Sequence, residues 1–197
     1  MNGAPRRNEV RLIGGSWKRS KLPVGRAAGL RPTPDRVRVT LFNWLGQDLS
    51  GWRCLDAFAG SGALGFEAGS RGAQSVVLIE RDPVLAASLE ASRRRLNATA
   101  LRIETADALT WMARAADASF ELIFLDPPYG SALLEPAVTQ AARLLAPGGF
   151  VYVESGERWS SDQRSEHELT LFRQGQAGAV HFHLLQRSNH AGPTRGG

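Results

Sequence analysis

The chain has 197 residues, 43% of them hydrophobic and 22% charged, which is typical of one globular domain and excludes the disordered and fibrous classes. No apolar run is long enough to span a membrane, the first residues lack the apolar stretch of a signal peptide, and the one cysteine, Cys54, has no partner for a disulfide or a zinc site. We therefore predict a soluble, cytoplasmic protein that binds no metal.

The positive charge is concentrated near the N-terminus. The formal net charge is +5, but between Arg6 and Arg38 the chain has ten basic residues and two acidic ones, a local charge of +8 that leaves −3 for the remainder. Such an asymmetry favours a phosphate-rich partner. A solvated arm without a partner is the alternative.

The first predicted elements are a hairpin and a helix. Two short apolar runs, residues 10–13 and 17–24, flank Gly14-Gly15, and this pattern predicts a β-hairpin that turns at the glycine pair. Thr33 is a favourable N-cap and Pro34 a favourable first residue for the amphipathic helix that follows.

Short apolar runs then alternate with helical segments. The predicted strands cover residues 54–58, 76–79, 101–103, 122–125 and 150–153, and the predicted helices cover residues 63–71, 83–97, 108–115 and 133–146. This alternation predicts an α/β fold with a mostly parallel sheet that is covered on both faces. Two later runs, residues 167–172 and 179–185, predict an antiparallel hairpin at the sheet edge, which makes seven strands.

These elements divide the chain into three parts. We predict a basic N-terminal arm with a small β-hairpin at residues 1–32, one α/β domain at residues 33–187 and a disordered tail at residues 188–197.

A glycine-rich loop follows the first strand of the predicted sheet. Residues 60–65 match G-x-G-x-x-G between a strand and a helix, a pattern shared by proteins that bind nicotinamide, flavin or S-adenosylmethionine. A pyrophosphate needs N–H groups without a carboxylate nearby, whereas Asp56 at the strand end suits the ammonium group of S-adenosylmethionine. We therefore predict S-adenosylmethionine as the cofactor, and a nicotinamide-dependent oxidoreductase is the alternative. The cofactor residues predicted here are Asp56, Ala57, Gly60, Ser61 and Gly62.

Acidic residues also follow the next two strands. Glu80, with its neighbour Arg81, is placed to accept hydrogen bonds from both ribose hydroxyls. Asp107, with its neighbour Ala108, is placed to accept a hydrogen bond from the adenine amino group. A solvated loop or a helix cap is the alternative for each acid.

The strongest signal is the sequence Asp126-Pro127-Pro128-Tyr129 at the end of the fourth strand. Two prolines directly after a buried strand indicate a rigid turn that fixes the Asp126 carboxylate and the carbonyls beyond it. Hydrogen bonds from an exocyclic amine to Asp126 and to the Pro127 carbonyl orient the nitrogen lone pair towards a methyl donor. The Tyr129 ring is placed to stack on the base.

Together these residues resemble a known family. Residues 56–62 (DAFAGSG), Glu80 and residues 126–129 (DPPY) match the motifs of the Rossmann-like class I methyltransferases. More narrowly, the chain resembles the RsmD family of bacterial 16S rRNA guanine-N2 methyltransferases. That resemblance includes residues 11–15 (RLIGG), 29–38 (GLRPTPDRVR), 40–45 (TLFNWL), 62–68 (GALGFEA) and 152–155 (YVES).

The resemblance implies an enzyme that methylates the exocyclic N2 of one guanine in 16S rRNA, acting on the small ribosomal subunit or its assembly intermediate. We expect the protein to be a monomer. The resemblance also implies that the basic arm and hairpin hold RNA, with contacts from Arg11, Lys18, Arg19, Lys21, Arg31 and Arg36. Thr33, Arg36 and Arg38 are candidates for closing over the cofactor.

Three alternatives remain open. The Asp126 tetrapeptide is shared with amino-methyltransferases that act on adenine N6 in DNA or on a glutamine side chain. The nicotinamide oxidoreductase is the second alternative, and a non-catalytic RNA-binding or assembly protein is the third.

Overall fold

The computed structural model describes residues 9–25, 33–156 and 168–188. These residues include nine strands: β1 (Glu9–Arg11), β2 (Lys21–Pro23), β3 (Arg53–Asp56), β4 (Ser75–Glu80), β5 (Leu101–Thr105), β6 (Phe120–Leu125), β7 (Leu145–Ser155), β8 (Leu169–Ala177) and β9 (Val180–Arg187). The same described residues include five helices: α1 (Asp35–Trp44), α2 (Ala63–Ser70), α3 (Pro83–Arg95), α4 (Ala108–Arg114) and α5 (Leu134–Leu144). Apart from Ser188, the predicted disordered tail lies outside the described residues.

Seven of the strands form one sheet in the order β5-β4-β3-β6-β7-β9-β8. The five strands from β5 to β7 are parallel, and β9 is antiparallel to both of its neighbours. The predicted seven-stranded, mostly parallel sheet with an antiparallel hairpin is therefore confirmed. The strand order reverses between β3 and β6, which is where open α/β sheets place their ligands.

The sheet lies between two apolar cores because its strands are apolar on both faces. On one face Cys54, Phe124 and Tyr152 pack in a cluster with residues of α1, α2 and α3. On the other face Leu55 and Ile123 pack with residues of α4 and α5. No helix within the described parts of the chain combines the length and apolar character that a membrane span requires.

Helix α5 ends earlier than its sequence predicts. Apolar periodicity continues the helix to residue 146, but α5 ends at Leu144, and Leu145 begins β7 by pairing with Phe120 on β6. Strand pairing overrides the helical pattern because it satisfies backbone groups that the end of a helix leaves unpaired.

The N-terminal hairpin is shorter than predicted and does not turn at Gly14-Gly15. Strands β1 and β2 pair from Glu9–Pro23 to Arg11–Lys21, and backbone hydrogen bonds join Leu12 to Ser20 and to Arg19. The loop between them docks against the end of α2 instead of extending the strands.

Ser70 at the end of α2 holds this loop. Its hydroxyl donates to the Gly14 carbonyl at 2.5 Å and accepts from the Trp17 N–H at 2.8 Å, and its carbonyl accepts from the Ser16 N–H at 2.7 Å. The Trp17 ring packs edge-on against Phe66 of α2, with ring centroids 6.3 Å apart. The hairpin is therefore fixed to the α/β domain.

Arg38 is a second link between hairpin and domain. Its side chain is fully buried, forms ion pairs with Asp35 at 2.6 Å and Glu67 at 3.1 Å, and donates to the carbonyls of Arg11 and Thr33. The prediction that Arg38 closes over the cofactor is thus wrong, because all three nitrogens of its buried guanidinium donate to groups that link β1, α1 and α2.

Helix α1 also begins differently from its prediction. Pro34 occupies the N-cap position, the helix starts at Asp35, and no side chain caps it. The Thr33 hydroxyl, predicted to be the cap, instead donates to Oε1 of Glu154 at 2.8 Å. A buried carboxylate in a neighbouring element competes successfully with the helix end for this donor.

Candidate active site

Four parallel strands that lie side by side each end in a carboxylate. In spatial order these are Glu80 on β4, Asp56 on β3, Asp126 directly after β6 and Glu154 on β7. The strand register places them on the sheet face that packs against α1, α2 and α3. The predicted residues Asp56, Glu80 and Asp126 are thus brought to one edge of the sheet.

The glycine loop wraps tightly around the end of β3. Gly60 and Gly62 have φ of 51° and 76°, and a Cβ at Gly62 would lie 2.6 Å from Leu89 and 2.8 Å from Phe66. This left-handed, crowded backbone requires glycine. The loop returns the chain so that the Gly65 N–H donates to Oδ2 of Asp56 at 2.9 Å.

Glu80 is oriented by two backbone groups. Its Oε2 accepts from the Gly60 N–H at 2.9 Å and its Oε1 from the Asp82 N–H at 2.8 Å. Each carboxylate oxygen can accept a second hydrogen bond. The side chain therefore presents two acceptors in a fixed orientation directly beside the glycine loop.

Asp107 caps helix α4. Its carboxylate accepts from the Thr110 N–H at 2.8 Å, and hydrogen bonds from Thr110 lower its pKa, with a smaller contribution from the charge of Arg81. The helix-cap alternative is therefore confirmed, and the adenine contact of Asp107 and Ala108 stays a prediction.

The acid and the aromatic ring of the tetrapeptide differ in their exposure to solvent. Asp126 is half-buried, whereas the Tyr129 side chain is 86% exposed. The Tyr129 ring lies over the end of β7, because a Cβ at Gly156 would lie only 2.8 Å from it. An aromatic face therefore borders the carboxylate edge, open to solvent on its outer side.

Burial and mutual repulsion disfavour the charged forms of these acids. Burial raises the pKa of Asp56 to about 7, opposed by the Gly65 hydrogen bond and assisted by the charge of Glu80. The pKa of Asp126 is raised well above its usual value by burial first, then by the charges of Glu154 and Asp56. A bound cation would relieve this repulsion.

The titration of Asp56 gives a testable effect on stability. Native Asp56 keeps a proton that the unfolded chain releases between pH 4 and 7, so its contribution to stability falls as the pH rises through that window. We expect Asp56→Asn to gain about 2 kcal/mol in free energy of unfolding, relative to wild type, between pH 5 and pH 8. Urea denaturation at both pH values measures this.

The control is Asp48→Asn, since the pKa of Asp48 is lowered by its hydrogen bonds with Ser50 and the residue stays ionised across this range. An equal difference between Asp56→Asn and wild type at both pH values contradicts the prediction.

The sequence pattern predicts no role in the site for three residues of this edge. Glu154, Tyr152 and Gly156 all lie at the end of β7, beside the tetrapeptide. The signal for Glu154 is its position, because it directly follows the predicted strand at residues 150–153 as Asp126 follows the predicted strand at residues 122–125.

The predicted RNA-contacting residues within the described chain are exposed on the hairpin and on α1: Arg11, Lys18, Arg19, Lys21 and Arg36. Lys21 pairs with Glu9 at 2.8 Å, and its carbonyl accepts from the Arg95 guanidinium of α3. Arg31 lies outside the described residues. These exposed basic side chains thus extend from a hairpin and a helix that hydrogen bonds fix to the α/β domain.

Comparison with known proteins identifies the family. A family model described as Conserved hypothetical protein 95 matches residues 10–186. A relative from Escherichia coli named ribosomal RNA small subunit methyltransferase D is 40% identical over 181 residues, covering 91% of this chain and 90% of its own. The chain belongs to the RsmD family. The protein of the same name from Haemophilus influenzae is 37% identical over 185 residues, covering 91% of this chain and 95% of its own.

Solved structures agree with the assignment to the RsmD family. The Escherichia coli protein yhhF is 38% identical and superimposes with a TM-score of 0.79, covering 93% of this chain and all of the other. TYW2 of M. jannaschii, solved in complex with AdoMet, has a TM-score of 0.64 at 10% identity, over 94% of this chain and 87% of its own. The latter shows a common fold only. The Rossmann-like methyltransferase fold predicted for the chain is confirmed.

Proposed function

We propose that the chain transfers a methyl group from S-adenosylmethionine to the exocyclic N2 of one guanine in 16S rRNA, within the small ribosomal subunit or its assembly intermediate. The observation that carries this proposal is the position of Asp126-Pro127-Pro128-Tyr129, beside an acid-lined glycine loop, in a chain of the RsmD family. The two relatives named as small subunit rRNA methyltransferases support the substrate class.

The donor set fits S-adenosylmethionine better than a dinucleotide. Asp56 and Glu80 place two carboxylates next to the glycine loop, which repel a pyrophosphate and attract the ammonium and sulfonium groups. We assign Asp56 and the loop residues Gly60 and Gly62 to the methionine part, and Glu80 to the ribose hydroxyls. When bound, this cofactor supplies the methyl group and leaves as a neutral thioether.

The chain's own residues orient the base. In the proposed complex the Asp126 carboxylate and the Pro127 carbonyl accept the two N–H groups of the guanine amine, which turns the nitrogen lone pair towards the methyl group. The exposed face of Tyr129 stacks on the base, an interaction worth about 1–3 kcal/mol. That stacking offsets part of the few kcal/mol needed to extract a base from its stack.

The test is to identify the modified nucleoside. The protein is incubated with labelled S-adenosylmethionine and small ribosomal subunits from a strain lacking this activity, and digested RNA is analysed by mass. We expect N2-methylguanosine in 16S rRNA. Methylated adenine, in RNA or in DNA offered in parallel, would support methyl transfer to an exocyclic amine but would show that guanine is not the substrate. Tight cofactor binding without transfer would favour a non-catalytic role.

The hairpin gives a prediction about RNA binding. We expect the double variant Lys18→Gln, Lys21→Gln to bind 16S rRNA more weakly and to reduce the slope of log K against log salt by about 1 to 2, because two phosphate contacts are lost. Filter binding between low and moderate salt measures this slope.

The matched control is Arg114→Gln, Arg173→Gln, which removes the same charge from α4 and β8. If both double variants change the slope equally, the hairpin is a solvated surface and not an RNA contact. Removing residues 1–32 is a poorer test, because Leu12 and Leu22 of the hairpin belong to the apolar core and the truncation exposes it.

A further inference from the structure

Glu154 lies in the active site with two donors on one oxygen. Its Oε1 accepts hydrogen bonds from the Thr33 hydroxyl and from the Tyr152 hydroxyl, each at 2.8 Å. Tyr152 and Thr33 are both buried, so these two hydrogen bonds are shielded from bulk water. Burial raises the pKa of Glu154, and these two donors on one carboxylate oxygen oppose that rise by stabilising its negative charge.

The same carboxylate is the neighbour of Asp126. Leu125 on β6 pairs with Val153 on β7, so the next residues along the two strands, Asp126 and Glu154, stand side by side. Adjacent residues in register on parallel strands point to the same face. Among the described residues, the charges that raise the pKa of Asp126 are those of Glu154 and Asp56.

We propose that Glu154 is a positioning residue for the methylation reaction: fixed by Thr33 and Tyr152, it holds a negative charge against Asp126 and thereby makes Asp126 the acceptor of the proton that the amine sheds. The proposal rests on the proposed transfer to an exocyclic amine. Asp126 alone touches the substrate, and Glu154 acts through it.

The proton balance requires such an acceptor. Once the nitrogen–methyl bond has formed, the nitrogen carries a positive charge and two protons, and one of them must leave to restore a neutral amine. The N–H that donates to Asp126 passes its proton along that hydrogen bond, its electron pair stays on nitrogen, and Asp126 becomes a neutral acid. A carboxylate beside a second carboxylate holds that proton more firmly than a solitary one.

The acids that face Asp126 raise its pKa. Glu154 on β7 and Asp56 on β3 do so through their charges, and the Thr33 hydroxyl ahead of α1 donates its one proton to Glu154. Glu80 on β4 acts one step further away, through Asp56, and Tyr152 of β7 donates to Glu154. Removing the charge of Glu154 must therefore lower the pKa of Asp126.

The decisive measurement is a carboxyl titration of the free protein, which needs neither substrate nor cofactor. Protein labelled with ¹³C at the aspartate carboxyls is titrated by NMR, with Asp126 assigned from the signal missing in Asp126→Asn. We expect Glu154→Gln to lower the pKa of Asp126 by about one pH unit or more. Glu154→Asp, which keeps the charge, stays closer to wild type than Glu154→Gln does.

The kinetic readout is the pH dependence of kcat/KM for methyl transfer. We expect its acidic limb to move in the same direction as the NMR titration in each variant, with Glu104→Gln on β5 as the control that moves neither. An Asp126 titration in Glu154→Gln that matches wild type overturns the proposal, as does an acidic limb that Glu154→Gln leaves unchanged. If methyl transfer to guanine itself is absent, the proposed function fails while the titration still reports on the Asp126–Glu154 pair.

Discussion

Asp126→Ala is expected to lower kcat for methyl transfer about 1,000-fold while leaving S-adenosylmethionine binding within about threefold of wild type. The substitution removes the carboxylate that orients the amine, whereas Asp56, Glu80 and the glycine loop keep their own hydrogen bonds. Single-turnover transfer to small subunits measures the rate, and calorimetric titration measures cofactor affinity.

Asp117→Ala is the matched control, since Asp117 precedes β6 at the opposite end of the strand and pairs only with Arg143 among the ion pairs described. Near-normal transfer by Asp126→Ala would remove the amine-orienting role and with it the assignment of the tetrapeptide. A parallel loss of cofactor affinity would instead make Asp126 part of the cofactor site.

Arg38→Ala is expected to cost about 3–5 kcal/mol in free energy of unfolding. It removes the buried guanidinium that neutralises Glu67 and binds the carbonyls of Arg11 and Thr33. Burial already raises the pKa of Glu67, and the charges of Arg38 and Arg71 oppose that rise. Urea denaturation at pH 7 gives the free energy.

Arg36→Ala is the control, because Arg36 lies on the same helix but is exposed. We expect it to change the free energy of unfolding by less than about 0.5 kcal/mol. Equal losses for Arg38→Ala and Arg36→Ala contradict a structural role for the buried ion pair.

The sequence predicted those parts of the molecule that depend on local patterns. Strand–helix alternation and the glycine loop predicted the sheet, its antiparallel hairpin and the positions of Asp56, Glu80 and Asp126. These succeed because period-2 and period-3.6 patterns and left-handed glycines are properties of short segments. A carboxylate at a strand end is equally local, since parallel strands bring their ends together.

The predictions that failed depend on partners far away in the chain. Arg38 looks like one more basic residue of the arm, and the sequence does not show that Glu67, 29 residues later, pairs with it in the core. Thr33 has the sequence position of a helix cap, but its hydroxyl donates to Glu154, which lies 121 residues later in the chain. A single sequence does not show which distant group will compete for a donor.

Helix α2 joins the two halves of the proposed function. It begins at Ala63 in the glycine loop and ends at Ser70, which holds the hairpin loop by hydrogen bonds. A helix of eight residues is about 12 Å long. In the proposed complex, this helix holds the hairpin surface that binds RNA at a fixed distance from the sheet edge that binds the reacting base. The methylated nucleotide would then be selected by its distance along the folded RNA, in addition to any contact with the base itself.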